Sequence, residues 1–460
     1  MEKSVRLLYN PSVNLQPLTF NVQLEKLTYG GDAMGRLPDG RAVFVPFALP
    51  GERVRIRLTE QKQNFARGEL LEILEPSPDR IVPRCKHFFP AASPLPAGEG
   101  VGVCGGCHYQ HLPYEKQLAA KTEILRDQLV RIGKIENPPV LSMVASPSEW
   151  NYRNHVQFHL TEEGNIGFVN ATGNAVIPIT ECHLPERCIN SFWPELQFDP
   201  NLDISRVSLR AGAEDDLMLL LESDSPETPE LEIEADISVV HLFDEHPVVI
   251  AGSDHHFIRV LGRDFKVSAP SFFQVNTAMA EKMVEHLLAA FTDKNQVSPR
   301  NLVSADDTLL DLYCGVGLFS AFFAPRVKRV IGIESSESAC EDFAVNLDEF
   351  DNVELYEGDA EEILPALVTQ FAKLRPDSQI GNLLYMIVDP PRAGLDRRAL
   401  DALIQLQPRL LAYVSCDPST LARDAKRLIE NGYALKQVTP FDFFPQTYHI
   451  ESISIFECTR

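Results

Sequence analysis

The chain reads as an α/β protein that ends in a doubly wound, mostly parallel Rossmann-like sheet, preceded by a small β-barrel and a central α+β region. Three patterns carry that reading. From residue 280 onward, strand-like runs alternate with helical periodicity: a helix over 280–291, strands TLLDLYC and RVIGIE, a helix over 336–347, then VELYEGD, LLYMIVDPP and LLAYVSC. Such alternation implies crossover helices between parallel strands, with ligand sites at the strands' carboxyl ends. Near the start, residues 20–75 alternate apolar and polar in short runs broken by Gly30-Gly31-Asp32, Pro38-Asp39-Gly40 and Pro50-Gly51, the spacing of a barrel. Between these regions, HVQFHL, VSLRAG and LMLLLE alternate with turns and predict a mixed sheet.

A chain of 460 residues is too long for one ordinary core. Changes of pattern divide it into 15–76, 77–261 and 262–460, the last break falling near Gly262, just before SFFQVN. No apolar run reaches the roughly 18 residues of a membrane span, and MEKSVRLLYN has no signal-peptide core, so a cytoplasmic protein without a membrane partner is expected. Nine cysteines in a reducing compartment point to metal-binding or catalytic thiols and some plain buried ones, not to disulfides. A net charge of −23 is awkward for a nucleic-acid binder, because phosphate contact depends on Lys and Arg. Much of the excess acid lies in residues 214–254, which hold no Lys or Arg, and that face is expected to point away from any nucleic acid. Local basic groups steer binding more than the total charge does.

In the barrel, Arg53-Val54-Arg55-Ile56-Arg57-Leu58 has a period of two that puts three arginines on one face. That face fits either nucleic-acid contact or a solvated exterior. Next, Cys104-Gly105-Gly106-Cys107 sits in a Pro-, Gly- and Ala-rich loop, with Cys85 before it and Cys182 after it. Four thiolates suit tetrahedral zinc or a four-iron cluster, and spacing alone does not choose between them. Cys188 is an alternative to Cys182, and His87, His108 and His183 read as incidental neighbours. Residues 114–132 have helical periodicity through Leu118, Ile124, Leu125 and Leu129, with Lys, Glu and Arg on the other face.

The last region carries the chemistry. DLYCGVG at 311–317 turns off a strand end, its glycines letting a ligand approach the backbone, and Glu334 ends the next strand, where a carboxylate can accept both ribose hydroxyls. No third glycine and no P-loop Lys-Ser/Thr pair follow, which favours a ligand with a ribose and no pyrophosphate. S-adenosylmethionine fits; an NAD-like ligand and a purely structural turn are the alternatives. DPPR at 389–392, VSCDP at 414–418 and HIES at 449–452 would meet at one edge of the sheet and bring together a slot, a thiol and a carboxylate. Cys314, Cys340 and Cys458 lie in or beside regular elements and read as small buried apolar groups. The closing runs LKQVTPFDFF and IESISIFEC read as an edge hairpin.

These residues resemble the RNA 5-methyluridine methyltransferases, particularly members with an N-terminal TRAM barrel that modify 23S ribosomal RNA. The likeness spans nearly the whole chain and rests on the barrel, the cysteine quartet, SFFQVN, DLYCGVG, DPPRAG, SCDPSTLARD and FPQTYHIES. It implies a class I methyltransferase domain, an OB-like TRAM barrel that binds RNA and a central iron-sulfur domain. Carried over residue by residue, it makes Cys416 the nucleophile and Glu451 the base. It assigns S-adenosylmethionine contacts to Gln274, Tyr313, Glu334, Asp359 and Asp389, and a [4Fe-4S] cluster to Cys85, Cys104, Cys107 and Cys182. Two features depart from the family. Residues 86–103 separate the first two cluster cysteines, so an insertion at about 89–102 must loop out. Asp417 stands where many relatives have Asn, and an adjacent carboxylate should disfavour the Cys416 thiolate unless it is hydrogen-bonded elsewhere.

The implied reaction begins with the Cys416 thiolate adding to carbon 6 of a uracil, which makes carbon 5 electron-rich. Glu451 then takes the carbon 5 proton after methyl transfer. The base must be flipped out of its stack; Phe272 or Phe273 would stack on it, while Arg392, Arg397 and Arg423 are placed to meet phosphates or solvent. A monomer acting on 23S ribosomal RNA is expected, with transfer RNA uridine-54 as the alternative substrate. A radical methylthiotransferase would need a C-x-x-x-C-x-x-C loop that is missing. A non-catalytic RNA-binding redox sensor would have no reason to keep Cys416, Glu451 and Asp389 together.

Overall fold

The computed structural model describes residues 19–88, 103–200, 202–229, 231–232, 234–292, 302–373 and 384–459. The first expected barrel residues, 15–18, and the expected insertion at 89–102 lie outside the described residues. The described residues up to Val82 form one compact unit, and those from Pro83 onward a second.

In the first unit β1 (Thr19–Leu27), β2 (Ala33–Arg36), β3 (Ala42–Val45), β4 (Arg53–Gln61) and β5 (Phe65–Glu75) close a barrel in the order β1-β2-β3-β5-β4. Alternate residues fill it, with Val22, Leu24, Val43, Val54, Ile56 and Leu70 almost fully buried. The three arginines of β4 do point outward, but each faces a glutamate of β5 in register: Arg53 with Glu75, Arg55 with Glu72 and Arg57 with Glu69. The pairs close at 3.1 Å, 2.7 Å and 2.9 Å. The expected basic face is therefore a ladder of neutralised charges.

The second unit opens with α1 (Tyr114–Arg131), followed by β6 (His155–Leu160), β7 (Ile166–Val169), β8 (Val176–Pro178), α2 (Arg187–Phe192), β9 (Arg206–Ala211), β10 (Leu217–Glu222), β11 (Ser238–Phe243) and β12 (His246–Ala251). These strands form the expected mixed sheet in the order β12-β11-β10-β9-β6-β7-β8, antiparallel except for β10 with β11. Its core joins Phe158, Trp193, Leu209 and Leu219. A separate hairpin of β13 (His255–Val260) and β14 (Arg263–Ser268) turns at Leu261 and Gly262.

The doubly wound sheet follows as α3 (Thr277–Thr292), β15 (Thr308–Leu312), α4 (Leu318–Phe323), β16 (Arg329–Glu334), α5 (Glu337–Asn346), β17 (Val353–Glu357), α6 (Ala360–Lys373), β18 (Leu384–Val388), α7 (Arg397–Leu406), β19 (Leu410–Ser415), α8 (Pro418–Glu430), β20 (Tyr433–Phe441) and β21 (Glu451–Cys458). Its order is β17-β16-β15-β18-β19-β21-β20, parallel from β17 through β19. The winding reverses between β15 and β18, and a crevice opens at their carboxyl ends. β20 and β21 pair as expected, but only β20 is at the edge; β21 lies inside, antiparallel to β19.

One expectation about α1 fails. Lys121 is not on a solvated face: it is fully buried and its Nζ lies 2.6 Å from Asp442, with Phe444 also accepting from it. A buried lysine needs such a partner, and Asp442 follows β20, so the pair pins the helix beside the catalytic sheet.

Candidate active site

A cavity of about 1190 Å³ lies at the switch point, and Gln274, Tyr313, Glu334, Asp359, Asp389, Cys416 and Glu451 all line it. All but Gln274, which lies in the loop before α3, are delivered by strand ends. Tyr313 and Gly315 follow β15, Glu334 ends β16, Asp359 follows β17, Asp389 follows β18, Cys416 follows β19 and Glu451 opens β21.

Local structure fixes the slot. Glu334 Oε2 accepts the Gly315 N–H at 2.8 Å, while Oε1 accepts those of Ser335 and Ser336 at 2.8 Å and 2.9 Å, so this carboxylate is preoriented by backbone alone. Gly317 has φ +93°, and a Cβ there would stand 2.3 Å from Leu347 Cδ1; the turn requires glycine. Gln274 is fastened from the mixed sheet: buried Asn154, just before β6, donates its Nδ2 to the Gln274 carbonyl at 3.0 Å and to Thr277 Oγ1 at 2.9 Å. Nothing in the sequence marked Asn154, because its role depends on two distant segments meeting.

The DPPRAG loop is clamped from α8. Arg423 donates to the carbonyls of Ala393 and Leu395 and pairs with Asp424. Gly394, at φ +76°, passes so close that a Cβ would lie 2.6 Å from Arg423 Nη2. Arg423 thus lines the cavity but is committed to the loop, whereas the Arg392 side chain meets His449 Nδ1 at 3.2 Å, and Arg397 is largely exposed. The paired phenylalanines separate cleanly. Phe273 is in the core beside Phe265, while Phe272 is 69% exposed and lines the cavity.

Burial, with Asp311 and Glu334 nearby, pushes the Asp389 carboxyl up to about 7. Burial and then Asp389 hold Glu451 well above the carboxylate range, opposed by Arg392. Burial, then Glu451 and Asp389, push the Cys416 thiol up to about 12, again with Arg392 opposing. This cluster wants positive charge, and a sulfonium would supply it. Asp417 turns its carboxylate toward α8. Its Oδ1 caps α8, accepting from the Ser419 and Thr420 N–H groups at 2.8 Å and 3.0 Å.

Hydrogen bonds tie together the segments that carry the cysteines. Cys104 N–H donates to the His87 carbonyl at 2.8 Å, Cys85 N–H to Gln110 Oε1 at 3.0 Å, and Thr180 N–H to His87 Nε2 at 2.9 Å. Burial raises all four thiols, and for Cys107 the charges of Cys182, Cys104 and Cys85 raise it further. Backbone N–H groups of Gly106 and Leu184 point at the sulfurs of Cys104 and Cys182. Among the described residues, however, no three His, Cys, Asp or Glu side chains stand in a metal-holding arrangement. Cys188, on α2, has Glu186 and Asp215 as its charged neighbours and packs against the same core as Cys182. Cys314 and Cys340 are buried as expected; Cys458 is half-buried.

Comparison with known proteins agrees with this architecture. Residues 253–458 match the tRNA (Uracil-5-)-methyltransferase family model, and residues 18–71 match the TRAM domain. An uncharacterised RNA methyltransferase of Aquifex aeolicus is 33% identical, the alignment covering 96% of this chain and 99% of that one. Another, from Thermosynechococcus vestitus, is 31% identical with the same coverage. The crystal structure of Pyrococcus abyssi tRNA (uracil-54, C5)-methyltransferase with S-adenosyl-L-homocysteine superposes with a TM-score of 0.66 at 22% identity, covering 95% of this chain and all of that one, and shares its fold. With its TRAM barrel and its uracil-5 catalytic region, the chain belongs to the RNA uracil-5-methyltransferase family.

Proposed function

We propose that the chain methylates carbon 5 of one uridine in 23S ribosomal RNA through a covalent adduct between Cys416 and uracil carbon 6. The observation that carries this is the joint presence of Cys416, Glu451, Asp389 and Arg392 in one cavity whose other wall holds Glu334 and Asp359. S-adenosylmethionine, when bound, supplies an electrophilic methyl group on a cationic sulfur. Its ribose suits the preoriented Glu334 carboxylate, and the acidic lining suits its positive charge.

The protein's own groups divide the remaining work. Phe272, exposed at the mouth, stacks on the flipped base. The Cys416 sulfur forms a bond to carbon 6, carbon 5 takes the methyl group, and Glu451 accepts the carbon 5 proton. The sulfur–carbon 6 bond then breaks, restoring the ring double bond and the thiolate. A carboxylate whose affinity for protons is raised by burial is a stronger base for that step. Arg392 stabilises the negative charge on Cys416 and Glu451.

The three regions 15–76, 77–261 and 262–460 would then serve RNA binding, cluster binding and catalysis. Cys85, Cys104, Cys107 and Cys182 would hold a [4Fe-4S] cluster, which ties together chain segments distant in sequence. The uracil chemistry itself needs no electron transfer. The Pyrococcus neighbour's action on tRNA uridine-54 keeps transfer RNA as the second reading. Incubation with S-adenosylmethionine and either ribosomal or transfer RNA lacking the modification, followed by nucleoside mass spectrometry, decides between them. 5-Methyluridine in transfer RNA alone overturns the ribosomal assignment, and its absence from both overturns the reaction.

A further inference from the structure

A second cleft, of about 520 Å³, shares no lining residue with the methylation cavity. One wall is an aromatic–cation platform. The Arg84 guanidinium lies 5.3 Å from the centre of the Trp150 ring, and His183 meets that ring edge-on with centroids 6.0 Å apart. The platform is anchored: Asn151 N–H donates to the His183 carbonyl at 2.9 Å, and its Nδ2 to the Pro185 carbonyl at 2.8 Å. Arg187, Glu186 and Asp215 complete the lining. Asp215 follows Glu214 in a corner where both have φ near +60° (62° and 61°), a conformation side-chain-bearing residues rarely adopt.

We propose that this cleft holds one unpaired nucleotide of the RNA substrate, its base stacked on Trp150 and Arg84, its phosphate on Arg187, and its N–H edge on Glu186 and Asp215. The proposal rests on the reading that RNA is the substrate and adds a recognition site to it. The mixture of groups selects the ligand class. A free anion would be repelled by the two carboxyl groups, and a simple cation by the two arginines, whereas a nucleotide offers a π-face, a phosphate and N–H donors together. Burial and then Asp215 push the Glu186 carboxyl up to about 7, so it can either accept from or donate to a base edge. Asp215 belongs to the acidic stretch expected to face away from RNA; here that stretch meets two arginines and need not do so.

The chain has two tryptophans, and Trp193 is buried in the mixed-sheet core, so quenching by RNA reports on Trp150. Titration of the intact protein with a short mixed-sequence single-stranded RNA should quench its fluorescence. Trp150→Ala should weaken RNA binding roughly tenfold, and Trp150→Phe, which keeps a stacking face, by less than about threefold. Arg187→Ala should lower the slope of log affinity against log salt by about 0.7, the loss of one phosphate contact. Affinity for S-adenosylhomocysteine, measured on the same samples, shows that each variant is folded. RNA binding with no quenching, together with unchanged affinity in Trp150→Ala, overturns the site while leaving RNA as the substrate. If the unmodified chain binds no RNA, the substrate reading fails and the site fails with it.

Discussion

Cys416 and Glu451 are the chain neighbours of Ser415 and Ser452, the last register partners of β19 and β21; both line the cavity, and Glu451 is the charged group that raises the Cys416 thiol most. The sheet thus brings this thiol and this carboxylate to one cavity, although 34 intervening residues separate them in the chain.

The cap made by Asp417 yields an expected outcome for the position at which this chain departs from many relatives. Because its carboxylate is spent on the first turn of α8, Asp417→Asn should change the methylation rate by less than about threefold, since Asn caps as well as Asp. Asp417→Ala should lower stability by about 1 kcal/mol, read by denaturant unfolding. A tenfold or greater gain in rate for the Asn variant would show that the carboxylate does act on Cys416.

The barrel ladder favours the solvated reading of the three arginines over nucleic-acid contact. Each arginine already holds a glutamate, so replacing Arg53, Arg55 and Arg57 together with Ala should leave the salt dependence of RNA binding nearly unchanged. Glu69, Glu72 and Glu75 changed together to Gln should free the arginines and tighten RNA binding at low salt. A flattened salt slope in the arginine variant would place RNA phosphates on that face after all.

How much of this was legible beforehand depended on the range of the interaction. The strand ends and their chemical groups were readable because each motif is local, and HVQFHL, RVIGIE and LMLLLE coincide with β6, β16 and β10. Three features were not readable: the burial of Lys121 against Asp442, the glutamates facing the barrel arginines, and Asn154 holding Gln274. Each is set by a partner at long sequence separation, and periodicity carries no information about such partners. The choice between Phe272 and Phe273 was open for the same reason, since adjacent residues face opposite ways but only the fold says which way is inward.

The buried acids give the protein without cofactor a pH dependence of known sign. Asp311 and Asp389 are each raised from 3.8 to about 7, so the folded state binds more protons than the unfolded state between those values. Their contribution to stability is complete below about pH 4 and is lost as pH rises toward and through 7. In Asp389→Asn the fall in melting temperature between pH 5 and pH 8 should be smaller than in the parent. S-adenosylmethionine, being cationic, should reduce that fall more than neutral S-adenosylhomocysteine at equal occupancy. A variant whose pH profile matches the parent's would remove Asp389 from the account.

For the cysteines, protein purified without oxygen should be brown and contain about four irons per chain, with both properties lost in Cys104→Ser or Cys107→Ser. Cys188→Ser should retain them. Stoichiometric zinc without iron would assign the quartet to a different metal.

The central claim, covalent catalysis by Cys416 and Glu451, is tested most directly by denaturing gel electrophoresis of Glu451→Gln after incubation with substrate RNA and S-adenosylmethionine. Removal of the carbon 5 proton precedes release of the sulfur, so this variant should accumulate a protein–RNA band that survives denaturation, and adding Cys416→Ala should abolish it. A band that persists without Cys416, or methyl transfer by Cys416→Ala alone, would contradict the account.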